Sequence, residues 1–108
     1  MALLALAGCA TDPAPHEQMR LSEQALEQAK AVGATDEVAE LKLAEDKLAR
    51  ARSNMASESY RDARLRAEQA ELDARLAEAR VLTLKSQEQL SLLQSRVNRL
   101  RKQLGEQQ

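Results

Sequence analysis

Apolar residues recur at helical spacing in three segments of the chain, and polar turns separate these segments. The pattern predicts helices over about 15–32, 36–55 and 59–104. Gly33 is a typical C-terminal stop for the first helix, and Ser57 lies in the polar turn before the third. The predicted fold is all-α: an antiparallel helical hairpin with a short N-terminal helix and a long coiled-coil-like C-terminal helix.

The third segment has two halves of different composition. Its first half repeats small residues at spacings of three and four, and its second half repeats leucine and valine at the same spacings. The positions are Ala63, Ala67, Ala70, Ala74, Ala77, Val81 and Leu84, then Leu90, Leu93, Val97, Leu100 and Leu104. The six-residue step from Leu84 to Leu90 predicts a slip in the phase of the repeat. The second helix can cover only the first half, so Leu90–Leu104 needs helix one, another copy or a different protein to cover it. We favour a partner or a second copy, which makes Leu90–Leu104 the predicted interaction surface.

The two turns contain candidate helix caps. Thr35 or Asp36 is predicted to cap the second helix, because short polar side chains accept hydrogen bonds from the first free amides. Ser59, followed by Asp62, resembles a capping box for the third helix, and Ser57 is the competing cap. Tyr60 is interpreted as a structural residue that packs across this turn.

Leucine and alanine supply most of the apolar side chains. Apolar residues make up 44% of the 108 residues, but Tyr60 is the only aromatic one. Burying an alanine methyl group stabilises a fold far less than burying a leucine side chain. The composition therefore predicts a thin helical bundle that a second copy would stabilise.

Charge is balanced overall but not along the chain. Sixteen basic and 17 acidic residues give a net charge of −1, which offers no general attraction to nucleic acid. A basic tip near the C-terminus is formed by Arg96, Arg99, Arg101 and Lys102. These residues either complement the negative end of the helix dipole and aid solubility, or bind an anionic partner. Without aromatic residues that stack on bases, nucleic-acid binding is not expected.

Residues that could converge on a catalytic or metal site are absent from the sequence pattern. His16 is the only histidine and lies in the tether region, so neither a catalytic triad nor a histidine-rich metal site is available. There is no glycine-rich phosphate-binding loop. We expect a protein that is not an enzyme and has no cofactor, metal or small-molecule substrate.

The N-terminus contains a candidate lipidation site. The segment Leu6-Ala7-Gly8-Cys9 resembles a bacterial lipobox, in which the cysteine thiol receives a diacylglycerol before cleavage. This interpretation makes residues 1–8 a signal peptide, although a shortened one without a basic residue, and 9–14 a flexible tether. The helical domain is then 15–104, with a tail at 105–108. The alternative is a frayed apolar N-terminus with an incidental free cysteine.

The middle third of the chain is similar to small bacterial envelope lipoproteins that carry a helical domain of unknown function. The resemblance lies in three stretches: Leu41–Arg52 (LKLAEDKLARAR), Ser59–Ala63 (SYRDA) and Ala67–Ala77 (AEQAELDARLA). In that family the domain often occurs alone and sometimes precedes an OmpA-type peptidoglycan-binding domain. The resemblance implies that the protein is located in the cell envelope. Because Ala10 rather than aspartate follows Cys9, it favours the periplasmic face of the outer membrane.

These observations lead to one functional expectation and one alternative. We expect a non-enzymatic outer-membrane lipoprotein that acts as a periplasmic helical spacer or adaptor, anchored through Cys9. Its partner would be a second copy or another periplasmic envelope protein, bound at Leu90–Leu104. The alternative is a cytoplasmic coiled-coil scaffold that carries no lipid.

Overall fold

Residues 12–106, which the computed structural model describes, form three α-helices: α1 (His16–Ala31), α2 (Ala39–Ala56) and α3 (Tyr60–Glu106). Both α1 and α2 lie against the first part of α3, and α3 then continues alone. The molecule is therefore long and narrow, measuring 103 × 28 × 17 Å. No strand occurs within this range, and the predicted all-α class is confirmed.

The helices α2 and α3 form the predicted antiparallel hairpin. Lys47 Nζ lies 2.5 Å from Asp73 Oδ2, and Arg80 Nη2 lies 2.5 Å from Glu40 Oε1. The later residue of α2 thus pairs with the earlier residue of α3. This order fixes the antiparallel direction of the two helices.

The short helix α1 runs parallel to α3 and fills the groove beside the hairpin. Ser22 Oγ contacts the carbonyl oxygen of Ala67 at 2.7 Å, and Gln28 Nε2 donates to Glu78 Oε1 at 3.1 Å. Residue numbers therefore rise together along the two helices. The result is an up–down–up three-helix bundle around the first part of α3.

Small side chains fill the bundle in three layers. The layers contain Met19, Leu48, Ala51, Ala67 and Ala70; then Ala25, Ala44 and Ala74; then Ala29, Ala34, Leu41, Ala77 and Val81. The partly buried Leu26 packs against all three. Because alanine projects little beyond the backbone, the helices can approach closely, as ridge-into-groove packing permits.

The end of α1 is fixed by a glycine in the left-handed conformation. Gly33 has φ +111°, and its amide donates to the Lys30 carbonyl at 3.0 Å. The next amide, of Ala34, donates to the Ala29 carbonyl at 3.0 Å. These two bonds form a Schellman motif, and buried Ala34 adds its apolar contact with Ala29. The predicted stop at Gly33 is confirmed.

The start of α2 differs from the prediction. The helix begins at Ala39, its N-cap is the extended Val38, and no side chain caps it. Thr35 instead belongs to a separate turn, in which its carbonyl oxygen accepts a bond from the Val38 amide at 2.8 Å. The predicted cap at Thr35 or Asp36 is wrong, because apolar packing of Val38 onto the third core layer positions this helix start.

Candidate interaction surface on the third helix

Beyond the bundle, α3 forms a stalk of exposed residues from Leu82 to Gly105. The predicted contact positions project from it as half-exposed or more exposed apolar side chains. Their exposed fractions are 57% for Leu90, 54% for Leu93, 45% for Val97, 57% for Leu100 and 65% for Leu104. No residue of the described chain covers this row.

The small-residue row of α3 faces the bundle, as predicted, but it ends earlier. Ala63 and Ala74 are fully buried, and Val81 is the last buried residue of the helix. Leu84, which was expected to continue the row, is 52% exposed. The reason is that α1 ends at Ala31 and α2 begins at Ala39, so neither helix reaches the level of Leu84.

The predicted phase slip is a change from one face of α3 to the other. Leu90 is 16 positions after Ala74, and at about 100° per residue the two lie about 160° apart around the helix axis. The buried alanines and the exposed leucines thus belong to nearly opposite faces. The helix has no break in its backbone here, because residues 60–106 are continuously helical.

The exposed face extends much further than the predicted surface. The same alternation of three and four continues backwards from Leu90 through the bundle, which defines a row that we call the outer stripe. It consists of Leu65, Gln69, Leu72, Leu76, Ala79, Thr83, Ser86, Leu90, Leu93, Val97, Leu100 and Leu104. Nine of these twelve positions are apolar. With the alternating spacing of three and four, this composition is typical of a coiled-coil face.

Sequence reasoning missed the first half of the outer stripe. Polar residues at Gln69, Thr83 and Ser86 interrupt its apolar pattern, and the neighbouring alanine row is more regular. Leu65 and Leu72 nevertheless remain 50% and 67% exposed. The unbroken spacing of three and four was the signal that could have found it.

Charged side chains flank the outer stripe on both sides. One flank carries Arg66, Asp73, Arg80, Gln87, Gln94 and Arg101, and the other carries Arg61, Glu68, Arg75, Leu82, Gln89, Arg96 and Gln103. Of the predicted basic tip, Arg96 and Arg101 therefore border the stripe. Arg99 and Lys102 lie behind it, on the opposite side of the helix.

A lysine joins the stalk to the top of the bundle. Lys85 Nζ donates a hydrogen bond to the Val32 carbonyl oxygen, at the C-terminal end of α1. A cation at this position also complements the negative end of the α1 dipole. Lys85 therefore links the start of the stalk to the C-terminal end of α1.

A buried serine, which the apolar pattern did not indicate, joins α1 to α3. Ser22 is 1% exposed, and its Oγ lies 2.7 Å from the Ala67 carbonyl oxygen and 2.8 Å from the Gln18 carbonyl oxygen. Its small side chain takes the place of an apolar residue in the stripe of α1. Hydrogen bonding to these carbonyl oxygens satisfies the buried Ser22 hydroxyl group in the core.

The predicted lipobox residues Leu6, Ala7 and Gly8 and the predicted lipid site Cys9 lie outside the described residues. The first described residue, Asp12, lies beside Tyr60 and the α2–α3 turn. The N-terminal end of the described chain is thus at the bundle end of the molecule. The tip of the stalk is at the other end.

Within residues 12–106, the side chains offer little for chemistry. No group of three or more histidine, cysteine or acidic side chains is arranged to hold a metal ion. None of the helices in this range is apolar enough over a sufficient length to cross a membrane.

Comparison with known proteins identifies the family. The model of a domain of unknown function, DUF4398, matches residues 17–92. The crystal structure of a DUF4398 family protein from Pseudomonas aeruginosa PAO1 is similar, with a TM-score of 0.86 and 71% sequence identity over 89% of this chain and 100% of that one. No curated protein matches. The chain belongs to the DUF4398 family, a domain of unknown function as the sequence resemblance implied.

Proposed function

We propose that the protein is a non-enzymatic lipoprotein of the outer membrane that acts from the periplasmic face as a helical spacer or adaptor. Its lipid would be attached to Cys9, and Leu90–Leu104 would be its contact surface. The observation that carries the proposal is that the N-terminal end of the described chain and the exposed leucines lie at opposite ends of the molecule. Asp12 lies at the α2–α3 turn, and the exposed leucines of the stalk lie at the opposite end of a molecule 103 Å long.

The sequence before α1 supports the membrane end of this proposal. Leu6-Ala7-Gly8-Cys9 supplies a thiol after small residues, as lipidation and cleavage require. Three acyl chains would anchor the protein durably, whereas one chain binds a membrane only marginally. The polar segment with Pro13 and Pro15 would then separate the lipid from the bundle.

The stalk supports the adaptor end. Its leucines are exposed in a row, and rows of this kind in soluble proteins mark contact surfaces. Since the stalk projects beyond the bundle, a second helix can lie along it without meeting α1 or α2. A spacer needs this separation between its anchor and its contact surface.

Intact-mass analysis of the protein from its native membranes tests the proposal. A chain that begins at Cys9 and carries acyl mass is expected, and Cys9→Ala should move the protein to the soluble fraction. An unmodified chain that begins at Met1 and is soluble would overturn the proposal. That result would favour the cytoplasmic coiled-coil scaffold.

A further inference from the structure

We infer that the outer stripe binds a second copy of this chain, with the two α3 helices antiparallel and the centre of the interface near Glu88. The stalk of each copy then lies against the bundle part of the other copy's α3. The inference rests on the proposed function only in taking Leu90–Leu104 as a contact surface, and it is independent of the lipid.

The first argument is that charges on the flanks oppose a parallel pair. In a parallel coiled coil, each residue before the stripe faces the residue five positions later on the other helix. The charged pairs would be Arg61 with Arg66, Glu68 with Asp73, Arg75 with Arg80, and Arg96 with Arg101. Every one of them joins like charges, and each would occur twice in a symmetric dimer.

The second argument is that one antiparallel register has complementary flanks. With the two-fold axis near Glu88, Asp73 of one copy faces Arg101 of the other, and this ion pair occurs twice. The remaining flank positions in the overlap pair arginine with glutamine or leucine, or glutamine with itself. No like-charged pair forms among the flank positions from Asp73 to Gln103.

The third argument is that the same register matches the apolar positions. The layers pair Leu72 with Leu104, Leu76 with Leu100, Ala79 with Val97, Thr83 with Leu93 and Ser86 with Leu90 of the second copy. Each layer occurs twice along about 50 Å of helix. The polar stripe residues Thr83 and Ser86 lie near the middle, each against a leucine, and the leucine–leucine layers lie toward both ends.

The fourth argument is that the bundle leaves room for the second helix. The alanine face of α3 packs on α1 and α2, and the outer stripe lies about 160° away. Leu72 and Leu76 are 67% and 52% exposed there. A stalk from another copy can therefore cover them without displacing a bundle helix.

Substitution and sedimentation test the surface. The full chain with Cys9→Ser, which removes both the lipid site and the free thiol, is expected to sediment as a dimer. Leu100→Asp should make it monomeric, whereas Leu92→Asp, on the same exposed stalk but off the stripe, should leave the dimer intact. A chain that stays monomeric at its solubility limit, or equal effects of the two substitutions, would overturn the inference.

Charge exchange tests the register. Asp73→Arg and Arg101→Asp should each weaken the dimer by roughly tenfold, because two attractive pairs become repulsive. The double variant should restore the affinity, whereas Arg99→Asp, behind the stripe, should not change it. Because Asp73 also binds Lys47 within the chain, circular dichroism must show that each variant folds. Loss without restoration in a folded double variant would exclude this register.

Spin-label distances test the direction without disturbing any contact. Labels at Glu88→Cys, behind the stripe like Lys102, should be separated only by the short distance across the two helices, because they lie at the same level on the two-fold axis. Labels at Lys102→Cys should be separated by about 42 Å along the axis, from 14 residues on each side of the centre. A parallel dimer would instead give the same short distance at both positions and would overturn the inference. Failure of this test leaves the lipid at Cys9 unaffected, and an unlipidated native chain leaves the dimer unaffected.

Discussion

At the scale of single residues, the two turns end their preceding helices by the same motif with different residues. In both turns a residue has left-handed backbone conformation, and its amide and the next amide donate hydrogen bonds back to carbonyl oxygens of the preceding helix. At the first turn this residue is Gly33, and at the second it is Glu58 with φ 59°. The Glu58 amide donates to the Met55 carbonyl at 3.1 Å, and the Ser59 amide donates to Asn54 at 2.8 Å. Glu58 thus adopts a conformation that side chains disfavour.

Glu58→Gly is expected to stabilise the bundle by about 1 kcal/mol, because glycine adopts this conformation without a steric penalty. Urea unfolding at neutral pH measures the change. Glu58→Ala is the matched control, since it removes the same charge but keeps the Cβ atom. An equal gain from both substitutions would mean that charge, and not backbone conformation, limits this turn.

The first turn of α1 contains the ion pair with a resolved effect on ionisation. Arg20 donates to Glu17 through Nη2 at 2.5 Å and Nε at 3.1 Å. These hydrogen bonds, and then the positive charge, lower the pKa of Glu17 below its ordinary value of 4.5. The stability contribution of Glu17 is therefore complete above pH 4.5 and is lost as the pH falls through the lowered pKa.

Glu17→Gln is expected to lower stability slightly at neutral pH and to have no effect in strong acid, where Glu17 is protonated in both states. Urea midpoints of the wild type and the variant across pH 2–7 measure this convergence. Glu27→Gln, at another exposed glutamate of α1, is the control. A difference for Glu17→Gln that persists unchanged in strong acid would contradict the linkage.

At the scale of the helices, the sequence pattern predicted what alanine spacing and glycine can specify. The alanine row from Ala63 to Ala77 identified the buried face of α3, and Gly33 identified the end of α1. The start of α2 was not predictable from capping residues, because packing of Val38 on the core decides it. Ser22 was missed since a buried polar residue leaves no trace in an apolar pattern.

The candidate surface was predicted only in part. Leucines at Leu90–Leu104 stand out in the sequence, but Leu65 and Leu72 lie among alanines of a more regular row. Their alignment with the stalk follows from the spacing, but only the bundle geometry shows that these two leucines face solvent. Periodicity identifies rows of residues, whereas the packing of α1 and α2 decides which row remains exposed.

Ala74→Leu is expected to destabilise the bundle by about 1–3 kcal/mol, because Ala74 is fully buried where the helices approach closely. Ala79→Leu, the same change on the outer stripe of the same helix, should cause no loss when both variants are measured in the monomeric Leu100→Asp background, where the stripe is uncovered. Thermal unfolding of both variants measures the contrast. Similar losses at both positions would mean that helix propensity, and not close packing, explains the alanine content.

At the scale of the whole molecule, the protection of backbone amides against hydrogen exchange should differ sharply along α3. The first part of the helix is covered by α1 and α2, whereas residues after Lys85 have no neighbouring helix among residues 12–106. Most helical stability in proteins comes from packing of an apolar face and not from helix propensity. The bundle therefore determines the stability of the chain, and the stalk depends on what covers it.

Hydrogen exchange measures this difference. In a monomeric variant such as Leu100→Asp, amides at 88–104 should exchange at least tenfold faster than those at 63–81. In the wild-type dimer, the stalk amides should become protected as chain concentration rises. Uniformly fast exchange of 88–104 at every concentration would exclude a helical partner on the stalk.

The parallel alignment of α1 with α3 has a mechanical consequence. Tension applied between Asp12, at the turn end of the bundle, and the tip of the stalk would draw α1 and α3 past each other lengthwise. All three core layers would then resist together, from Met19 to Ala29, instead of separating one after another. The bundle is thus loaded in shear, the direction in which a close-packed helical interface resists pulling best.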